Sequence, residues 1–66
     1  MKIVVNGEEQ QVPEGLSVSE LLAHLRLPAE RIALERNLEI LPRAKWTEVR
    51  VQEGDRYEIV HFVGGG

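Results

Sequence analysis

The sequence predicts an α+β domain in which a mixed sheet of four or five strands wraps over one main helix. Three observations carry that expectation. A strand–turn–strand signature opens the chain, a single capped amphipathic stretch follows it, and the longest strand-like run stands near the far end. A chain of 66 residues has room for one core, and with no cysteine no disulfide staples it.

In "MKIVVNGEEQQVP" two strand-like runs flank Asn6-Gly7, the preferred centre of a two-residue type I′ hairpin turn. The period of two puts Ile3 and Val5 on one face, Lys2 and Val4 on the other. Pro13 ends the second strand or sits at an edge, because it has no N–H to give a ladder. In "GLSVSELLAHLRLP", Ser17 and Glu20 form a capping box that starts a helix at Ser17. Val18, Leu21, Leu22 and Leu25 make one apolar stripe, each worth roughly 1.5–3 kcal/mol when buried. Pro28 is expected to stop that helix.

"RIALERN" reads as a third strand with Asn37 at its turn, and Pro42 keeps the next stretch from being a long central strand. Trp46 is expected to plug the open end of the core. "TEVRV" alternates as a further short strand, "QEGD" is a turn with Gly54 free to take positive φ, and "RYEIVHFV" is the last strand. Its alternation sets Tyr57, Ile59 and His61 against Glu58, Val60 and Phe62. First and last strands rich in Ile and Val suit a central parallel pair. Hairpin, helix, then two or three strands in that order make the β-grasp arrangement.

Composition narrows the function. Net charge is −3 with scattered Lys and Arg, which argues against a nucleic-acid partner and permits docking on a basic one. Two separated histidines and no cysteine leave no Cys/His metal cluster and no thiol chemistry. No apolar run nears the roughly 20 residues a membrane span needs, and the N-terminus turns polar too early for a signal peptide. A cytoplasmic protein without a membrane role is expected. No serine, histidine and carboxylate stand at a recognisable spacing, and no glycine-rich loop precedes a helix. Glu8-Glu9 and Glu35/Glu39 read as surface charge, His24 as solvated, His61 as a histidine on the strand rim. The chain shows no active site of its own.

Its ending is the unusual part. "HFVGGG" passes straight from strand to glycine, the residue that loses most backbone entropy on ordering. A folded domain over residues 1–62 and a mobile tail over 63–66 are expected. A glycine tail carries no side chains, so it can thread a narrow channel and present its carboxylate inside another protein. A frayed end explains the same residues, and physics alone leaves both open.

"MKIVVNGE", "SVSELL", "ALERN" and above all "EGDRYEIVHFVGGG" resemble the ThiS family of thiamine-biosynthesis sulfur carriers, which are ubiquitin-like β-grasp proteins. The resemblance runs the length of the chain. It implies a protein substrate rather than an enzyme, with no cofactor held by this chain. The Gly66 carboxylate is then adenylated by a ThiF-type enzyme using ATP and magnesium. Sulfur from a cysteine desulfurase system converts it to a thiocarboxylate, which passes sulfur to a ThiG-type thiazole synthase. On the same analogy Gly64 and Gly65 thread the partner's active site. Tyr57 and Ile59 point into the core, while Val60 and Phe62, joined by Val4, form an apolar docking patch. Three other readings use the same residues: a sulfur carrier for molybdopterin or RNA thiolation, a ubiquitin-like protein modifier, and a β-grasp module that only binds.

Overall fold

Asn6 and Gly7 take positive φ, 50° and 83°, and turn β1 (Lys2–Val5) into β2 (Glu8–Gln11) with Val5 opposite Glu8. That is the left-handed geometry a type I′ turn needs, and it matches the twist of the two strands. The structure is a computed structural model and describes residues 1–62; the expected tail at 63–66 lies outside the described residues.

α1 (Val18–His24) starts from Ser17, whose Oγ accepts from the Glu20 N–H at 3.1 Å while the Glu20 carboxylate accepts from the Ser17 N–H at 2.8 Å. Val18, Leu21 and Leu22 are buried and Leu25 packs against them, so the apolar stripe faces the core. The helix does not run to Pro28. It closes earlier, where Arg26 takes φ 60° and two crossed bonds, Arg26 N–H to the Ala23 carbonyl and Leu27 N–H to the Leu22 carbonyl, satisfy its last turn. Closure therefore comes from left-handed backbone at an arginine, and the proline merely follows it.

β3 (Ile32–Arg36), β4 (Glu39–Ile40) and β5 (Arg56–His61) complete a five-stranded sheet in the order β2-β1-β5-β3-β4. β1 and β5 run parallel at its centre, and the other pairs are antiparallel. The sheet's inner face supplies Ile3, Ile32, Leu34, Tyr57 and Ile59, which meet the stripe of α1 in one core. Trp46 closes the open end: it is buried, its indole N–H donates to the Leu41 carbonyl at 2.9 Å, and the Arg43 guanidinium lies 4.7 Å from its ring centre.

One expected strand is absent among the described residues. Thr47 and Glu48 belong to a turn, and Arg50 makes only a single bridge, to Ser17. The alternation of "TEVRV" has another origin. The segment lies along the lead-in to α1, with Val18 N–H to the Val49 carbonyl and Val51 N–H to the Leu16 carbonyl, both 2.9 Å. Val51 is buried and Val49 half-buried, which reproduces a strand's pattern with no strand beside it. His61 also departs from its expected companions: Tyr57 and Ile59 are buried, but His61 is exposed because the core ends at Ile59.

Candidate functional site

The site is the end of β5, where the described residues end. β5 is held on one side by β3, with Ala33 opposite Val60 and Ile32 opposite His61, and then by the Phe62 N–H on the Arg31 carbonyl at 2.7 Å. On its other side β1 pairs only with the start of β5, Val4 opposite Arg56 and Val5 opposite Tyr57. Beyond that point the side chain of Asn6 takes over. Its Oδ1 accepts from the Ile59 N–H at 2.7 Å and its Nδ2 donates to the Ile59 carbonyl at 3.2 Å.

Val60 and Phe62 stand on the outer face, 60% and 55% exposed. Side chains of that size left in water together form an exposed apolar patch on the sheet. Ile40, 79% exposed, extends it: Ile40 pairs with Glu35 on the outer face, and a shallow depression there is lined by Ala33, Glu35, Ile40, Glu58 and Val60. Val4 shares this face but lies elsewhere on it. It pairs with Arg56, four residues before Val60, hence about 13 Å along the strand. Glu35 and Glu58 face each other directly across β3 and β5 with no ion pair among the described residues. Two like charges so placed are unfavourable, and a cation from a partner would relieve them.

At the opposite end of β5 lies a buried carboxylate. Asp55 is 4% exposed, and its oxygens accept from Arg36 Nε (3.0 Å), Tyr57 Oη (2.9 Å), the Gln52 N–H (2.9 Å), Asn37 Nδ2 (3.2 Å) and Arg36 Nη2 (3.4 Å). Burial pushes the Asp55 carboxyl up, but the bonds from Gln52, Asn37, Tyr57 and Arg36 outweigh it and hold the group below the ordinary aspartate range. Burial, and then the bond to Asp55, push the Tyr57 phenol well above its ordinary value. A perturbed carboxylate can mark a catalytic group. This one has its acceptor sites filled by the protein itself, so its work is structural. Among the described residues no cluster of His, Cys, Asp or Glu could hold a metal, and no helix is long and apolar enough to cross a membrane.

The family model described as the ThiS family matches residues 2–66. The chain belongs to the ThiS family. It is 35% identical to the sulfur carrier protein ThiS of Escherichia coli over all of both chains. It is similar, with a TM-score of 0.86 and 39% identity over the whole of both chains, to the crystal structure of the thiamine biosynthesis protein ThiS from Geobacter metallireducens. It is also 46% identical to part of a thiazole synthase of Paramagnetospirillum magneticum, and there it spans only about a fifth of the relative's length. The ubiquitin-like β-grasp fold expected from the sequence is therefore the fold of this ThiS-family chain.

Of the expected site residues, Val60 and Phe62 come together on the outer face at the end of β5, and Val4 stands apart on the same face. Gly64, Gly65 and Gly66 lie outside the described residues. Sequence reasoning missed Ile40, Asn6 and Asp55. Ile40 carried a signal in its register, since a hairpin turning at Asn37 sets it opposite Glu35 and so on the outer face. The partners of Asp55 are scattered over residues 36 to 57 and gave none.

Proposed function

We propose that this ThiS-family chain is a sulfur carrier of thiamine biosynthesis, a protein substrate rather than a catalyst, working at the carboxylate of Gly66. The observation that carries the reading is the match to the Escherichia coli sulfur carrier over the whole of both chains.

The chemistry follows from what a carboxylate lacks. It resists nucleophiles, so one oxygen first attacks the α-phosphorus of ATP on a ThiF-type enzyme, with magnesium, releasing pyrophosphate and leaving an acyl-adenylate. A persulfide sulfur, supplied by a cysteine desulfurase system, attacks the acyl carbon and expels AMP. A second thiol cleaves the new S–S bond, becoming a disulfide itself and leaving the thiocarboxylate. A thioacid is far more acidic than a thiol, so it is ionised at neutral pH and attacks as a soft nucleophile. ATP and magnesium belong to the partner, and this chain supplies only the carboxylate.

A thiazole synthase of the ThiG type is the acceptor in this reading, in keeping with the thiazole synthase that includes a stretch similar to this entire chain. Gly64 and Gly65 let the end enter a partner's channel, since a Cβ on either would widen it. Val60, Phe62 and Ile40 dock the partner. The acidic Glu35–Glu58 pair between them favours a basic side chain opposite. A cytoplasmic setting belongs to the same reading.

Intact mass spectrometry after incubation with ATP, magnesium, a persulfide donor and a ThiF-type enzyme tests it. A gain equal to one oxygen replaced by sulfur, mapped to Gly66 and lost when one residue is appended after Gly66, is the expected outcome. An unchanged mass, with the same enzyme active on another carrier, overturns it.

A further inference from the structure

The large apolar side chains left exposed among the described residues are Leu38, Ile40, Val60 and Phe62. They gather on two parts of the sheet, the β3–β4 hairpin and the end of β5. Between those parts lies the shallow depression walled by Ala33, Ile40 and Val60. Ile40 pairs with Glu35 and Glu35 with Glu58, so these three form one row across the sheet, and Ala33 and Val60 form the next. An apolar groove ordinarily takes an apolar surface. This one has two carboxylates in its lining, on directly opposed residues whose Cβ atoms are about 5 Å apart. A neutral surface laid over them would strip water from two like charges and return nothing. The surface that covers the groove therefore carries a cation.

The chain spends its own neighbouring cations elsewhere. Arg36 follows Glu35 but turns to the inner face, where Nε lies 3.0 Å from the Asp55 carboxylate. Lys2 pairs with Glu9 and Arg50 with Glu20. Arg56 stands on the outer face two residues before Glu58, and no ion pair joins the two among the described residues.

We propose that this depression is the specificity-determining contact of the carrier and receives one arginine side chain of the activating enzyme. The proposal rests on the sulfur-carrier reading. The arginine stem lies on Ile40 and Val60, and its head reaches Glu35 and Glu58. Arginine suits the place better than lysine on two counts. Its planar fork of donors can bond two carboxylates at once, and its guanidinium is more weakly hydrated than an ammonium, so it leaves water more readily. Such a contact answers a need of the chemistry. A glycine carboxylate is the same group on any chain, so an adenylating site has nothing at the reacting atoms by which to choose. Choice has to come from the folded domain. An arginine facing this depression accepts a carrier with both acids and rejects an apolar patch without them, which would leave the guanidinium desolvated and unpaired.

Titration calorimetry with a ThiF-type enzyme tests the proposal, with urea midpoints beside it. The carriers compared are wild type, Glu35→Gln, Glu58→Gln, the two together, and Glu8→Gln. Glu8 is an exposed acid on β2, so its substitution changes the net charge equally but away from the depression. Each single change in the depression is expected to weaken binding about tenfold. The urea midpoint should stay level or rise, because one of two facing like charges is gone. Glu8→Gln should bind as wild type does. Replacing the enzyme's exposed arginines by lysine, one at a time, should then find one that weakens wild-type binding at least threefold and leaves the double variant unaffected. Affinity unchanged in both single variants, an equal loss in Glu8→Gln, or no such arginine overturns the proposal. A wild type left unmodified at Gly66, by an enzyme active on another carrier, overturns the sulfur-carrier reading instead.

Discussion

Asn6 and Asn37 both lead two-residue reversals with positive φ, and they bond β5 from opposite sides, Asn37 at its start on Arg56 and Asn6 further along on Ile59. Asn6 is followed by Gly7, which carries the left-handed backbone without cost, and its amide bonds Ile59 in the last strand. Asn37 is followed by Leu38, held at φ 73° and 85% exposed, and its amide joins the buried Asp55 cluster. One end of the sheet is thus fastened internally, around a carboxylate with several donors. The other is held by β3 on one side and by one side chain on the other, and it offers its surface, Val60 and Phe62, to solvent. Two stretches of a single strand are therefore held in different ways, and substitutions in them should fail in different ways.

The largest expected effect is at the fastened end. Asp55→Ala removes a buried acceptor from Arg36, Tyr57, Asn37 and Gln52 together; with Arg36 still partly in water, the loss is about 3 kcal/mol, read from urea unfolding. Acid should do the same more gently. The folded-state pKa of Asp55 lies below the ordinary 3.8, so its contribution is complete above that value and is lost as pH falls through the folded pKa. Urea midpoints taken from pH 5 downward should fall less steeply in Asp55→Asn than in wild type. An equal slope would show that the carboxylate contributes nothing to acid stability.

These two ends were unequally legible in the sequence. Asn6-Gly7, the Ser17 capping box and the alternation of β5 are local signals, each read within a few residues. The Asn6 clamp joins residues 53 apart, and the Asp55 cluster joins residues 36–37 to 52–57, so neither has a periodicity to betray it. Arg26 and Leu38 hide for another reason: left-handed backbone at an arginine or a leucine is imposed by the fold against local preference. The strand expected at "TEVRV" shows the converse, an alternation created by burial without a ladder.

A middle-sized effect belongs to the exposed apolar patch near the end of β5. Phe62→Ala removes a ring that is 55% exposed, so it should cost the fold at most about 0.5 kcal/mol. Against the activating enzyme it should weaken binding by about tenfold, the loss of a modest hot spot, measurable by titration calorimetry. Reversing the charge at Glu58 should act in the same assay and become weaker at high salt, as a rim charge does. Affinity equal to wild type for Phe62→Ala would move docking to another face.

The smallest effect returns to the second turn, where the sign is reversed. Left-handed backbone costs a leucine roughly 1–2 kcal/mol, and glycine removes that strain while adding about 0.5–1 kcal/mol of entropy to the unfolded chain. At 85% exposure the Leu38 side chain has almost no burial to lose. Leu38→Gly should therefore stabilise the protein by about 0.5 kcal/mol in urea unfolding. The same substitution with lowered affinity for a partner would mean that the strain is retained because Leu38, like Phe62, touches something outside the chain. Unchanged affinity with a gain in stability would leave partner contact with the patch at the end of β5.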